Sequence, residues 1–168
     1  QTGVNWRVDP RNQLRISADG NVTKVQGSAA FRSDREAIGS TAQWQYTPNE
    51  ANQFTAFGQF SLVRYPEQRV RDVNRYTAGV GWGHAFIGAK YRPVLFTSLF
   101  GGYEDEKSES KGSHFSRSFV GVRGGGQITV HEGGTMSASL TYQFSDYKKN
   151  DPTFLKERQD DYIDASVG

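Results

Sequence analysis

MSASLTYQFS, residues 136–145, alternates without a break. Met136, Ala138, Leu140, Tyr142 and Phe144 fall on one side, and Ser137, Ser139, Thr141, Gln143 and Ser145 on the other. Successive side chains of a β-strand point to opposite faces, so the segment predicts a strand with one greasy face and one hydroxyl-lined face. The same period recurs on both sides of it. Ile38, Ala42, Trp44 and Tyr46 oppose Gly39, Thr41, Gln43 and Gln45. Phe54, Ala56, Gly58, Phe60 and Leu62 oppose Gln53, Thr55, Gln59 and Ser61. Tyr76, Ala78, Val80 and Trp82 oppose Thr77, Gly79, Gly81 and Gly83, while Val120, Val122, Ile128 and Val130 oppose Arg123, Gln127 and Thr129.

Strand length sharpens the reading. Each run is about ten residues or longer, whereas strands of soluble domains cluster near about five or six. About ten tilted residues are what a bilayer requires. The connections add a second argument: Pro48–Asn52, Ile87–Ala89 and His131–Thr135 are short, and between them Arg64–Asn74, Glu104–Ser116 and Asp146–Glu157 are long and charged. Membrane barrels alternate short periplasmic turns with long outer loops in this way.

Composition agrees. Only 35% of the 168 residues are apolar, yet 13% are aromatic and 19 are glycine, and the mean hydropathy is −0.69. Aromatic content this high argues against disorder. Twenty basic residues nearly balance 18 acidic ones, and they are scattered, so nucleic acid is not expected as a partner. The absence of cysteine excludes disulfide scaffolds and thiolate metal sites. No run approaches the roughly 18 apolar residues of a membrane-spanning helix. No signal peptide is visible at Gln1, so either one was removed or the segment is internal to a larger chain.

Two regions read less clearly. Tyr91–Tyr103 is apolar on both sides, with Leu95 and Leu99 opposite Val94, Phe96 and Phe100, which suits a plug, a neighbouring element or a crowded lumen. Residues 1–36 hold short runs (Val4, Trp6, Val8; Leu14, Ile16, Ala18) followed by an expected turn at Asp19-Gly20, and their pairing is not readable. Tyr162–Gly168 reads as a strand still in progress, without the terminal aromatic residue of a finished barrel.

Candidate sites weigh toward structural roles. His84, His114 and His131 show no metal-ligand spacing, although a Ser–His–Asp site assembled in space stays open. Gly121 and Gly124–Gly126 sit inside a strand pattern and not at a strand-to-helix turn, so close packing of a neighbour outweighs a phosphate loop. Asp160 and Asp161 are adjacent on a strand and point apart, which excludes convergent acid–base work; with Arg158 at the strand opening, an extracellular-rim charge pair is the expected role. The segment EDEKSESKG (104–112) reads as a solvated loop, with coordination of a divalent ion, or of lipopolysaccharide phosphate through Lys107 and Lys111, as the sharper alternative. Trp44, Tyr46, Tyr65, Tyr76, Trp82, Tyr103, Tyr142 and Tyr147 fall mostly toward strand ends, where interfacial girdles belong.

The segments TAQWQYTPNEANQFTAFGQFSLVRYPEQ (41–68), FVGVRGGGQ (119–127) and NDPTFLKERQDDYIDASVG (150–168) resemble the C-terminal barrel of proteobacterial tetratricopeptide-repeat proteins of the surface lipoprotein assembly modifier type. The resemblance implies a barrel that follows a periplasmic helical repeat domain and helps move cargo to the cell surface. No helical repeat is present in this chain.

The expectation is therefore an all-β, antiparallel up-and-down transmembrane β-barrel, with residues 1–168 a single segment of about seven to ten strands belonging to it. Trp44, Phe60, Trp82, Val122, Leu140 and Tyr142 are expected to face lipid. Gln43, Gln59, Arg123, Gln127, Thr141 and Gln143 are expected to face the lumen. No catalytic, cofactor-binding or metal-binding residue is expected. The expected setting is the bacterial outer membrane, with its lipid, lipopolysaccharide and an exported surface protein as partners. The competing reading is a soluble extracellular or periplasmic β-module that binds a partner or glycan through aromatic faces.

Overall fold

The computed structural model describes residues 2–24, 34–66, 72–107, 116–131, 134–150 and 157–168. Among them nine strands follow one another: β1 (Thr2–Arg7), β2 (Asn12–Thr23), β3 (Arg35–Asn49), β4 (Asn52–Arg64), β5 (Val73–Ala85), β6 (Val94–Glu106), β7 (Arg117–His131), β8 (Gly134–Asn150) and β9 (Glu157–Val167). They form one sheet in strict chain order, each strand hydrogen-bonded to the next and every pair antiparallel, with β1 and β9 at the edges. The all-β, up-and-down architecture thus follows the alternation in the sequence. Each strand's period of two matches its neighbour's, so the ladder stays in register across the sheet.

The sheet is inside out relative to a soluble domain. Its buried residues include Ser17, Glu104, Glu106, Gln143 and Ser145, alongside Val63, Val73, Phe119 and Tyr147. On the opposite face Ile16, Ile38, Val80, Leu99, Leu140 and Ile163 are exposed, Leu140 by 56% and Ile163 by 69%. The polar face is the buried one because the sheet curls toward it. Arg75 on β5 reaches Gln143 on β8 at 3.5 Å. On a flat sheet three strand spacings alone would separate them by about 14 Å.

Several expected boundaries move. Asp19-Gly20 is not a turn: β2 runs through it, pairing Asp19 with Gly39 and Gly20 with Ile38. An Asp-Gly turn needs left-handed backbone, and among the described glycines only Gly88 has a positive φ, 88°. The link expected at Ile87–Ala89 instead spans 86–93, and β6 starts at Val94 and not at Tyr91. That connection folds on itself through Ala89 N to Phe86 O (3.3 Å), Arg92 N to Ala89 O (3.0 Å) and Phe86 N to Pro93 O (2.9 Å). Left-handed Gly88 and Arg92 (φ 41°) turn its chain.

The charged connections shrink in the opposite sense. β4 continues to Arg64 and β5 starts at Val73; β6 continues to Glu106, β7 starts at Arg117 and β8 continues to Asn150. Charge was read there as loop, but Glu104, Glu106 and Arg117 are strand residues on the buried polar face.

Phe96 and Phe100, whose surroundings were open in the sequence, lie across glycines. Phe96 pairs with Gly125 and Phe100 with Gly121. A Cβ on Gly125 would meet the Phe96 ring at 2.5 Å, and one on Gly79 would meet the Phe57 ring at 2.7 Å. The rings lie flat over backbone that has no side chain, which lets a narrow polar face hold large aromatics.

Candidate functional site

Cross-strand register divides the sheet into two chemically distinct faces. Trp6, Leu14, Trp44, Ala56, Val80, Leu99, Val122, Tyr142 and Ile163 are successive partners across all nine strands, an apolar row without interruption. One residue along each strand lies the row Asn5, Arg15, Gln43, Phe57, Gly79, Phe100, Gly121, Gln143 and Tyr162. By the same register Trp44, Phe60, Trp82, Val122, Leu140 and Tyr142 share the apolar face. Gln43, Gln59, Arg123, Gln127, Thr141 and Gln143 share the polar one.

The apolar face carries an aromatic cluster near the 50–51 and 86–93 connections. Trp44 stacks on Tyr46 (centroids 6.0 Å) and Tyr46 on Phe54 (6.5 Å). The ring of His84 lies against Trp82 and Phe86, and its Nδ1 is 2.9 Å from Asn52 Oδ1. Both indoles find acceptors: Trp44 Nε1 donates to Asn12 Oδ1 (3.1 Å) and Trp82 Nε1 to Asn52 Oδ1 (3.2 Å). Apolar rings with satisfied polar tips suit a boundary between a greasy layer and water. Toward the other end of the strands Tyr103 donates to Asp105 (2.9 Å), whereas Tyr142, midway along β8, donates to Asp161 (2.6 Å). Tyr147, grouped with these by sequence, is a correction: it points to the polar face, buried between the guanidinium groups of Arg117 and Arg158. Its odd number on β8 gives it the parity of Gln143 and Ser145.

The polar face holds the densest chemistry of the described residues. Asp19, Gly39, Ser61, Arg75, Glu104, Arg117 and Tyr147 are successive cross-strand partners. Arg117 grips Glu104 with both arms, Nε to Oε2 at 2.7 Å and Nη2 to Oε1 at 3.2 Å. Its Nη1 also donates to Tyr147 (3.2 Å) and Ser145 (3.5 Å). Arg75 approaches the same carboxylate from the other side, at 3.5 Å, and stacks over the Phe119 ring at 4.6 Å. Tyr147 donates to Asp160 (3.1 Å), which Arg158 binds through Nε (2.8 Å) and Nη2 (2.6 Å). Bidentate guanidinium–carboxylate pairs of this kind are the geometrically specific ones.

The sequence reading expected a charge pair here with the two acids facing apart; Arg158 pairs with Asp160, and Asp161 accepts instead from Tyr142. It missed Arg75, Glu104 and Arg117. Their parity was the available signal, since Arg75 shares a face with Thr77, Glu104 with Phe100, and Arg117 with Phe119. Gly124–Gly126 lie within β7. His114, Lys111 and the side chain of His131 fall outside the described residues, as does most of 104–112. Among the described residues no three histidine or acidic side chains converge on a metal-sized site, and no helix is long and apolar enough to cross a membrane.

In the turn between β1 and β2, Asp9 Oδ1 accepts from the backbone N–H of Arg11 (2.7 Å) and Asn12 (2.9 Å). Its Oδ2 accepts from Asn12 Nδ2 (2.8 Å). These bonds, led by that from Arg11, hold the carboxyl below the ordinary aspartate range.

Comparison with protein-family models, with curated proteins and with solved structures finds no match to this chain.

Proposed function

We propose that these strands belong to the wall of a transmembrane β-barrel in a bacterial outer membrane. The barrel acts as a conduit or assembly platform for export of a surface lipoprotein or other surface cargo. One observation carries the membrane reading: the solvent-exposed face is apolar across nine consecutive strands while the buried face is polar. Nine strands at about 4.8 Å span roughly 40 Å of sheet. An apolar face that wide far exceeds the few hundred Å² of the largest patch on a typical soluble monomer. Along β8 the apolar residues from Met136 to Phe144 cover about 26 Å of strand, or roughly 20 Å of depth at barrel tilt. That is close to the apolar band of about 25 Å on outer-membrane barrels. The competing soluble module needs a second layer over this face, and the described residues form a single sheet. The export role rests on the resemblance of residues 41–68, 119–127 and 150–168 and on a polar inner face suited to water.

Quenching by brominated lipid tests the membrane reading. The chain refolded into vesicles of brominated phosphatidylcholine should lose much of its tryptophan emission, because Trp44 and Trp82 would touch acyl chains. A monomer that folds without detergent and keeps its emission beside brominated vesicles would overturn it. For the export role, cells lacking the protein should keep normal total levels of surface lipoproteins but lose protease-accessible ones; unchanged accessibility would remove the role and leave the fold untouched.

A further inference from the structure

We infer that the polar face holds an oxyanion-binding site centred on Arg75, which takes a sulfate, phosphate or carboxylate group. The inference requires the polar face to stay open to water and does not require the export role. Arg75 has five N–H donors. Among the described residues it makes one long hydrogen bond, to Gln143 Oε1 at 3.5 Å, and one loose ion pair, Nε to Glu104 at 3.5 Å. Glu104 is already committed, since both its oxygens accept from Arg117 at 2.7 and 3.2 Å. Two guanidinium groups therefore share one carboxylate, and a positive charge is left over. Arg35, on the same face, adds to the positive potential at Arg75.

The surplus charge faces open space. Arg75 lines a recess of about 520 Å³ with Arg117, Gln143, Ser145 and Tyr162. It also lines a second recess of about 210 Å³ with Arg35, Asn21 and Ser61. Of the acids that line the larger recess, Asp160 is paired with Arg158, whereas Asp161 accepts only from the neutral Tyr142 and keeps a charge that opposes an anion at that end. Asp19 in the smaller recess is the one carboxylate whose repulsion opposes an anion there. Phe119 beneath the guanidinium fixes its plane, so less freedom is lost when an anion docks. A planar fork with unspent donors, held beside hydroxyl and amide groups in a partly dry wall, is the arrangement that recognises oxyanions.

The test is an NMR titration of the folded chain in zwitterionic micelles, with arginine side-chain nitrogens labelled and sodium sulfate added at fixed ionic strength. The Arg75 Nε–H signal should shift saturably while that of Arg123, on the same face but outside both recesses, stays put. Arg75→Gln should weaken sulfate binding by about tenfold or more, and Arg75→Lys, which keeps the charge but loses the planar fork and its stacking on Phe119, should recover only part of it. A small, unsaturable drift common to all arginines, or binding undiminished in Arg75→Gln, would overturn the site. The wild-type titration decides the matter even if Arg75→Gln does not fold.

Discussion

Glu104 is the acid on which the polar face turns, because it neutralises Arg117 directly and Arg75 in part. Its side chain is 9% exposed, against 22% and 29% for its partners. Removing its charge strands two guanidinium groups in a partly dry wall. Breaking a fully buried pair costs about 3–5 kcal/mol, and the exposure of the arginines discounts that. Glu104→Gln should therefore destabilise the fold by about 2 kcal/mol, read from urea unfolding in lipid vesicles; a change near zero would mean that water already screens the cluster. Asp9 makes the opposite kind of contribution, at a turn exposed to solvent. Its folded pKa lies below the unfolded value, so the turn is stabilised at neutral pH and loses that support as pH falls through the lowered value. The amide signals of Arg11 and Asn12 should move together, at a pH below ordinary aspartate titration. Movement at the ordinary value would show that the bonds at 2.7 and 2.9 Å do not persist in solution.

At the scale of the strand, the apolar face was legible and the polar face was not. Alternation from Met136 to Ser145 predicted β8 because every second residue there is greasy, and the register keeps those residues on one face. The same logic failed at 104–106 and 146–150, where charged residues hid the continuing period. Glu104 and Glu106 are buried strand residues, and only their pairing with Arg75 and Val73 reveals it. The missing information is tertiary, since a charge reads as solvated until its partner on another strand is known. The girdle reading failed at Tyr147 for the simpler reason that residue type was weighed above parity. The two faces make different predictions for the same substitution. Leu140→Arg should cost about 2–4 kcal/mol in vesicles, the penalty of an arginine on a lipid-facing strand near the midplane. Thr141→Arg, one residue along and facing Arg123 across the ladder, should cost well under 1 kcal/mol apart from local repulsion. In a soluble module the order collapses, because Leu140 is 56% exposed and surface changes fall within about 0.5 kcal/mol.

For the molecule as a whole, strict antiparallel order fixes which connections lie together. The connections between β2 and β3, β4 and β5, β6 and β7, and β8 and β9 share one end of the sheet, and the other four share the opposite end. The contrast in length is weaker than the sequence suggested, because the 86–93 connection is eight residues and matches 65–72. Aromatic placement gives an independent cue: Trp44, Tyr46, Phe54, Trp82 and His84 gather near the 50–51 and 86–93 end. In the membrane reading that end faces the periplasm, because outer-membrane barrels keep their short turns there and carry their longer, charged loops outside. The chain has no cysteine, so single cysteines report cleanly. Lys107→Cys, beside β6, should react with a membrane-impermeant maleimide on intact cells. Ala51→Cys and Ala89→Cys should react only after the outer membrane is opened. Labelling in the reverse order would invert the topology without disturbing the sheet. Equal labelling of all three on intact cells would remove the membrane from the account, because no bilayer would then separate the two ends of the strands.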